Sequence, residues 1–184
     1  QPLTDALDAK LRLVENVASP VNEAILNRSK EDQKRHMRKI WIPEIEDHLL
    51  GHQILAVALN TGNQGNLRKL LLGEGWADPN NESTIALSNS KLQAVLSHMT
   101  EGDWKLVQLI WDQMDSLYPQ LAEVHRRTTG LVPPKVEATP VVTKFGEFRG
   151  GYYPVKYSPQ RSHKAEKNAE KLQADTESMF NNKA

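Results

Sequence analysis

The sequence predicts an all-α fold: an irregular multi-helix module over residues 1–130, an extended Pro/Gly/aromatic strap over 131–158, and a polar tail, helical or disordered, over 159–184. Three observations carry this prediction. Up to residue 124 the apolar residues recur mainly at spacings of three and four. Capping signals separate one such run from the next. Beyond Gly130, Pro133, Pro134, Pro140 and Pro154 together with Gly146, Gly150 and Gly151 end the helical pattern, because proline fixes φ and glycine opens geometries barred to other residues.

Leu3, Leu7, Leu11, Val14 and Val17 share a helical face, and Thr4 to Asp8 has the spacing of a capped first turn. Ser19-Pro20 then predicts an N-cap with proline at the first helical position, starting a second helix through Val21, Ala24 and Ile25 into a basic stretch. Pro43 is expected to break or kink that run after Ile40, Trp41 and Ile42. A further helix should carry Ile45, Leu49, Ile54, Leu55, Val57 and Leu59, with Gly51 inside it at a cost of about 1 kcal/mol, which points to close packing there.

The stretch Asn60 to Asn66 is rich in turn residues. Gly62 is expected as a left-handed helix stop and Asn66 as the N-cap of a short helix from Leu67 to Leu72. Ser90 to Gln93 and Thr100 to Asp103 both have capping-box spacing. The second opens the strongest periodic segment, in which Trp104, Val107, Trp111, Met114, Tyr118 and Leu121 alternate at four and three residues, supported by Leu106, Ile110, Leu117 and Val124. This predicts a central core helix that Pro119 bends or restarts and that ends at Arg126-Arg127 and Gly130.

In the strap, Phe145, Phe148, Tyr152, Tyr153, Val155 and Tyr157 can spread large apolar area over a neighbouring surface, each tyrosine keeping a polar tip. The surface is expected to be the segment Trp104 to Val124 or its equivalent in a neighbouring subunit. The tail has a thin stripe of Ala165, Ala169, Leu172, Met179 and Phe180, too narrow to offset ordering costs of about 1 to 2 kcal/mol per residue. It should therefore fold on a partner, with Met179 and Phe180 as anchors.

Composition narrows the function. Across 184 residues, 39% are hydrophobic, which predicts one compact region with polar appendages. The 23 basic and 23 acidic residues cancel, so no global field draws in nucleic acid or an anionic membrane. Without cysteine there is no disulfide, thiolate metal site or cysteine nucleophile. No apolar run approaches the roughly 18 residues that span a bilayer. The chain begins at Gln1, which suggests a piece cut from a longer polypeptide.

Candidate chemical sites are weak. His48 and His52 have the i, i+4 spacing that presents two metal ligands on one helix face, but the sequence lacks the glutamate that a zinc-hydrolase motif places directly after the first histidine. Glu44, Glu46 and Asp47 suit a helix N-terminus. Gly62 and Gly65 lack the Lys-Ser or Lys-Thr of a phosphate loop. Arg28, Lys30, Lys34, Arg35, Arg38 and Lys39 form a basic patch diluted by Glu31 and Asp32 and without interleaved aromatics, so nucleic-acid contact has only local support. No metal or other cofactor is expected.

The ordered series Ala58-Leu-Asn-Thr-Gly-Asn-Gln-Gly-Asn66, Gly75-Trp76, Asp103-Trp104, Trp111-Asp112, Arg126-Arg127, Gly130, Phe145-Gly146 and Gly150-Gly-Tyr-Tyr-Pro-Val-Lys-Tyr157 resembles a helical module of the large polyvalent proteins packaged in bacteriophage particles. The likeness runs from about Ala56 to Ser158. In that family such modules belong to long virion proteins that leave the capsid with the genome. The resemblance implies a non-enzymatic part of an internal virion or DNA-ejection assembly, located in the virion and delivered towards the host envelope or cytoplasm, with other virion proteins or copies of itself as partners. It supplies no catalytic residue. Asn60, Asn63, Asn66, Trp76, Trp104, Trp111, Phe145, Phe148, Tyr152, Tyr153 and Tyr157 become structural or interface positions. A second reading is an accessory domain of a large injected phage enzyme, such as a virion RNA polymerase, whose catalytic domain lies outside this chain.

Overall fold

The apolar side chains of residues 42 to 111 are gathered around one helix, Glu101–Ser116, and the polypeptide on either side is fitted to it. The computed structural model describes residues 2–154. The tail expectations, with Tyr157, Met179 and Phe180, lie outside the described residues. In order the elements are α1 (Pro2–Leu26), α2 (Lys30–Met37), β1 (Lys39–Ile42), β2 (Asp47–Leu50), α3 (Gly51–Leu59), α4 (Gln64–Gly73), α5 (Ser90–Leu96), α6 (Glu101–Ser116), α7 (Tyr118–Thr129), β3 (Val141–Thr143) and β4 (Gly146–Phe148). Short 3-10 turns lie at Pro43–Ile45 and Glu82–Thr84.

The expected all-α class is therefore corrected. About 58% of the described residues are helical, with two small antiparallel hairpins, and the class is mixed. In the first hairpin Lys39 pairs with Leu50, Ile40 with Leu49, Trp41 with His48 and Ile42 with Asp47. In the second, Val141 pairs with Phe148, Val142 with Glu147 and Thr143 with Gly146. Ile45 and Leu49 do not share a helix with Ile54. Pro43 holds Ile42 extended (φ −123°, ψ 102°), and Glu46 takes left-handed geometry (φ 54°) to turn the chain. Ile40 and Ile42 then point to one side and Trp41 to the other, a period of two in a segment whose β-branched and aromatic residues favour strand. Glu44, Glu46 and Asp47 accordingly lie at a hairpin turn rather than at a long helix start.

Three other boundaries differ from expectation. Pro20 lies inside α1, which runs unbroken to Leu26. It removes one intrahelical donor, and Ser19 is not a cap. The N-cap of α4 is Asn63, whose side chain accepts from the Asn66 N–H at 2.9 Å, so α4 starts three residues before the expected position. Asn89 rather than Ser90 caps α5. Gly51 sits at the first position of α3, where a Cβ would come within 2.6 Å of the Arg35 carbonyl oxygen, so the expected close packing is real and its partner is α2.

The core consists of Ile54, Val57 and Ala58 of α3, Leu67 and Leu71 of α4, Leu92 and Val95 of α5, and Trp104, Val107 and Trp111 of α6, with Ile42 and Val141 contributed by the two hairpins. Each fully buried aliphatic side chain here contributes about 1.5 to 3 kcal/mol. The Thr100–Asp103 box forms as its spacing predicts: the Asp103 N–H donates to the Thr100 hydroxyl, and the Thr100 N–H donates to Asp103 Oδ2 at 2.9 Å.

Asp103 does more than cap. It is 1% exposed and receives Arg28 Nη2 at 2.6 Å, Arg35 Nη2 at 2.7 Å and His36 Nε2 at 2.9 Å. Burial alone would push its carboxyl up, but the Thr100 backbone N–H, His36, the Thr100 hydroxyl and Arg28 together hold it well below the usual carboxylate range. One carboxylate thus ties the α1–α2 connection to the start of α6.

Candidate docking surface

The strap closes over a clasp built from the loop between α3 and α4. The Gly62 carbonyl accepts from both Thr139 N–H and Gly151 N–H, each at 2.8 Å, so a single loop oxygen holds the two limbs of the strap. The Asn63 amide donates to the Gly151 carbonyl at 3.1 Å, and the Asn66 amide to the Tyr153 carbonyl at 2.6 Å. Both asparagines are buried and satisfied, as burial of amides requires. Beneath them Trp111 is fully buried and donates its indole N–H to the Leu59 carbonyl at 2.9 Å.

This explains the glycines. A Cβ on Gly62 would lie 2.5 Å from the Trp111 ring, and one on Gly151 would lie 2.5 Å from Trp111 Cβ. Gly150 also needs its positive φ of 77°, and a Cβ there would meet the Thr139 carbonyl oxygen at 2.1 Å. Gly62 works by close approach, without the left-handed φ expected of a helix stop.

Of the residues predicted as structural or interface positions, Trp104 and Trp111 are core, and Phe148 stacks on Trp104 with ring centroids 5.6 Å apart. Trp76 and Tyr153 are partly buried against the same core. Phe145 is exposed beside Lys144, whose ammonium lies 5.0 Å from the ring centroid, and Tyr152 is 42% exposed. The strap meets α6 along the limb that follows β4: Gly151 lies against Trp111, and the Arg149 guanidinium pairs with Asp112 while its backbone N–H donates to Gln108.

The surface that sequence reasoning missed is the next one along. Leu121 and Val124, expected to extend the core stripe, are 62% and 61% exposed. Pro119 lies within the first turn of α7, a new helix starting at Tyr118, so the apolar periodicity no longer projects onto the α6 axis. After Gly130, in left-handed geometry (φ 76°), the chain folds back along α7. The Leu131 carbonyl lies 2.8 Å from His125 Nδ1, and the Pro133 carbonyl accepts from the Tyr118 hydroxyl at 2.8 Å. Leu131, Val132 and Val136 on this returning limb are exposed as well. Five large aliphatic side chains thus face solvent on α7 and the limb beside it. The signal for this was present in the sequence as Pro119 and the Gly130 stop, but not as periodicity.

His48 and His52 do not share a helix face. His48 is in β2, its ring 4.8 Å from that of Trp41, and His52 is in α3 with Nδ1 3.2 Å from the His36 carbonyl oxygen. Among the described residues no group of three or more His, Asp or Glu side chains is placed to hold a metal ion, and no helix is long and apolar enough to cross a membrane. Chemically, the clasp offers amides, carbonyls and an indole committed to one another; what the region leaves open is apolar area. Comparison with family models, curated proteins and solved structures finds no match to this chain.

Proposed function

We propose that this chain is a non-enzymatic assembly module, an internal DNA-ejection component of a bacteriophage virion that docks to its neighbours through α7 and the limb Leu131 to Val136. The observation that carries the docking part is the exposure of five large aliphatic side chains on α7 and the limb tied to it, since exposed apolar area is characteristic of interaction surfaces. The hydrogen bonds from Tyr118 and His125 support it by tying the limb to the helix, so that the face is offered as a unit. The virion setting is supported by the resemblance of residues 56–158 to polyvalent-protein modules. Other virion proteins, including copies of this chain, are the partners.

The test is the paired substitution Leu121→Gln and Val124→Gln. Particles produced with this variant should lack the chain or incorporate it poorly, while the purified variant melts like the parent. Normal incorporation and normal genome delivery would reject the proposal.

A further inference from the structure

The sequence places a basic patch at residues 28–39 with no aromatic among its cations. The fold changes that. Arg28 and Arg35 turn inward onto Asp103, which leaves Lys30, Lys34, Arg38 and Lys39 exposed. Among the described residues none of these four takes part in an ion pair. Lys30, Lys34 and Arg38 border one open depression along α2, together with Gln33 and Met37. Lys39 and Trp41 then follow on the outward side of β1, as the alternation of the strand requires. Trp41 is 50% exposed, and the ring of its cross-strand partner His48 lies 4.8 Å away, tilted by 53°.

We propose that α2 and the outer side of β1–β2 bind single-stranded nucleic acid, with phosphates along Lys30, Lys34, Arg38 and Lys39 and a base stacked on Trp41. The eight residues of α2 span about 12 Å. The three steps from Arg38 to Trp41 add about 10 Å. That length suits a few nucleotides. Charge selects a polyanion, and the exposed indole selects one with unstacked bases. A duplex carries its phosphates on in both directions and would run into Glu44, Glu46 and Asp47 at the hairpin turn, whereas a flexible strand can leave before them. The same acids oppose an anionic bilayer. Glu31 and Asp32 lie on α2 itself, Asp32 facing Arg35 at 3.5 Å, and lower affinity without interrupting the Lys30, Lys34, Arg38 series. The inference is independent of the assembly reading, because it uses a different surface.

The experiment is a titration of a fluorescein-labelled dT10 oligonucleotide with the full chain in 20 mM and 200 mM salt, following anisotropy and tryptophan emission. Four phosphate contacts predict a log–log salt slope of about 3. Binding should quench emission, and Trp41→Ala should weaken it by about tenfold and remove the quench. Lys34→Ala with Arg38→Ala should lower both affinity and slope, with melting unchanged in both variants. The Leu121→Gln, Val124→Gln chain should bind dT10 like the parent, which keeps this test separate from the docking proposal. Absence of dT10 binding at 20 mM salt, binding indifferent to Trp41→Ala, or tighter binding to phosphatidylglycerol vesicles or polyglutamate than to dT10 would each overturn it.

Discussion

Replacing Asp103 with Ala removes the carboxylate on which Arg28, Arg35 and His36 converge, and leaves two guanidinium groups together without their counter-charge and His36 without its partner. Loss of one partner from a buried pair typically costs about 3 to 5 kcal/mol, and the Thr100 box goes with it. In a chain of this size, 1 kcal/mol moves the melting point by about 2 to 4 °C, so a fall of roughly 6 to 20 °C is expected. The sign with pH follows from a carboxyl held below its ordinary range. Its contribution is complete above the unfolded-state value near 4, and it is lost as pH falls from there towards the lower folded value. The gap between parent and Asp103→Asn should therefore close by about 1 kcal/mol for each unit below pH 4. Urea unfolding at pH 7, 5 and 3 measures it. A cost under 1 kcal/mol at pH 7, or a gap that does not narrow on acidification, would refute the reasoning.

Gly62→Ala drives a methyl into the Trp111 ring, which is buried and hydrogen-bonded and has little room to move; a loss of about 1 to 3 kcal/mol is expected in chemical denaturation. Thr100→Ala should cost about 0.5 to 2 kcal/mol, less than either Asp103 variant, because it removes the cap and leaves the ion pairs. Tyr153→Ala should destabilise by more than Tyr152→Ala, since Tyr153 packs against the core while Tyr152 is 42% exposed; equal melting points for the two would contradict this arrangement of the strap.

Local spacing decided a good part of this fold. The Thr100–Asp103 box, the core face Trp104, Val107 and Trp111, and the Gly130 stop depend on groups three or four residues apart, and such groups meet whatever the rest of the chain does. Periodicity failed where partners are remote or the local pattern is ambiguous. Ile45 and Leu49 fit a helical spacing equally well, and only Ile40 and Ile42 facing inward beneath a paired β2 made the segment a hairpin. The exposed Leu121 and Val124 follow from a helix restart that gives α7 an axis of its own.

The candidate surfaces divide in the same way. The sequence alone determined which residue types are present: a strap able to turn back on glycines, asparagines able to hold it, and cations with a tryptophan a few residues beyond. The tertiary structure decided their use. It brought Asp103 to Arg28 across 75 positions, turning two arginines inward and leaving four other cations outside, and it gave the Gly62 carbonyl two donors from limbs far along the chain. The physical reason is that burial and hydrogen-bond satisfaction are decided by which distant groups arrive at the same place, and a local pattern of side chains carries no record of that.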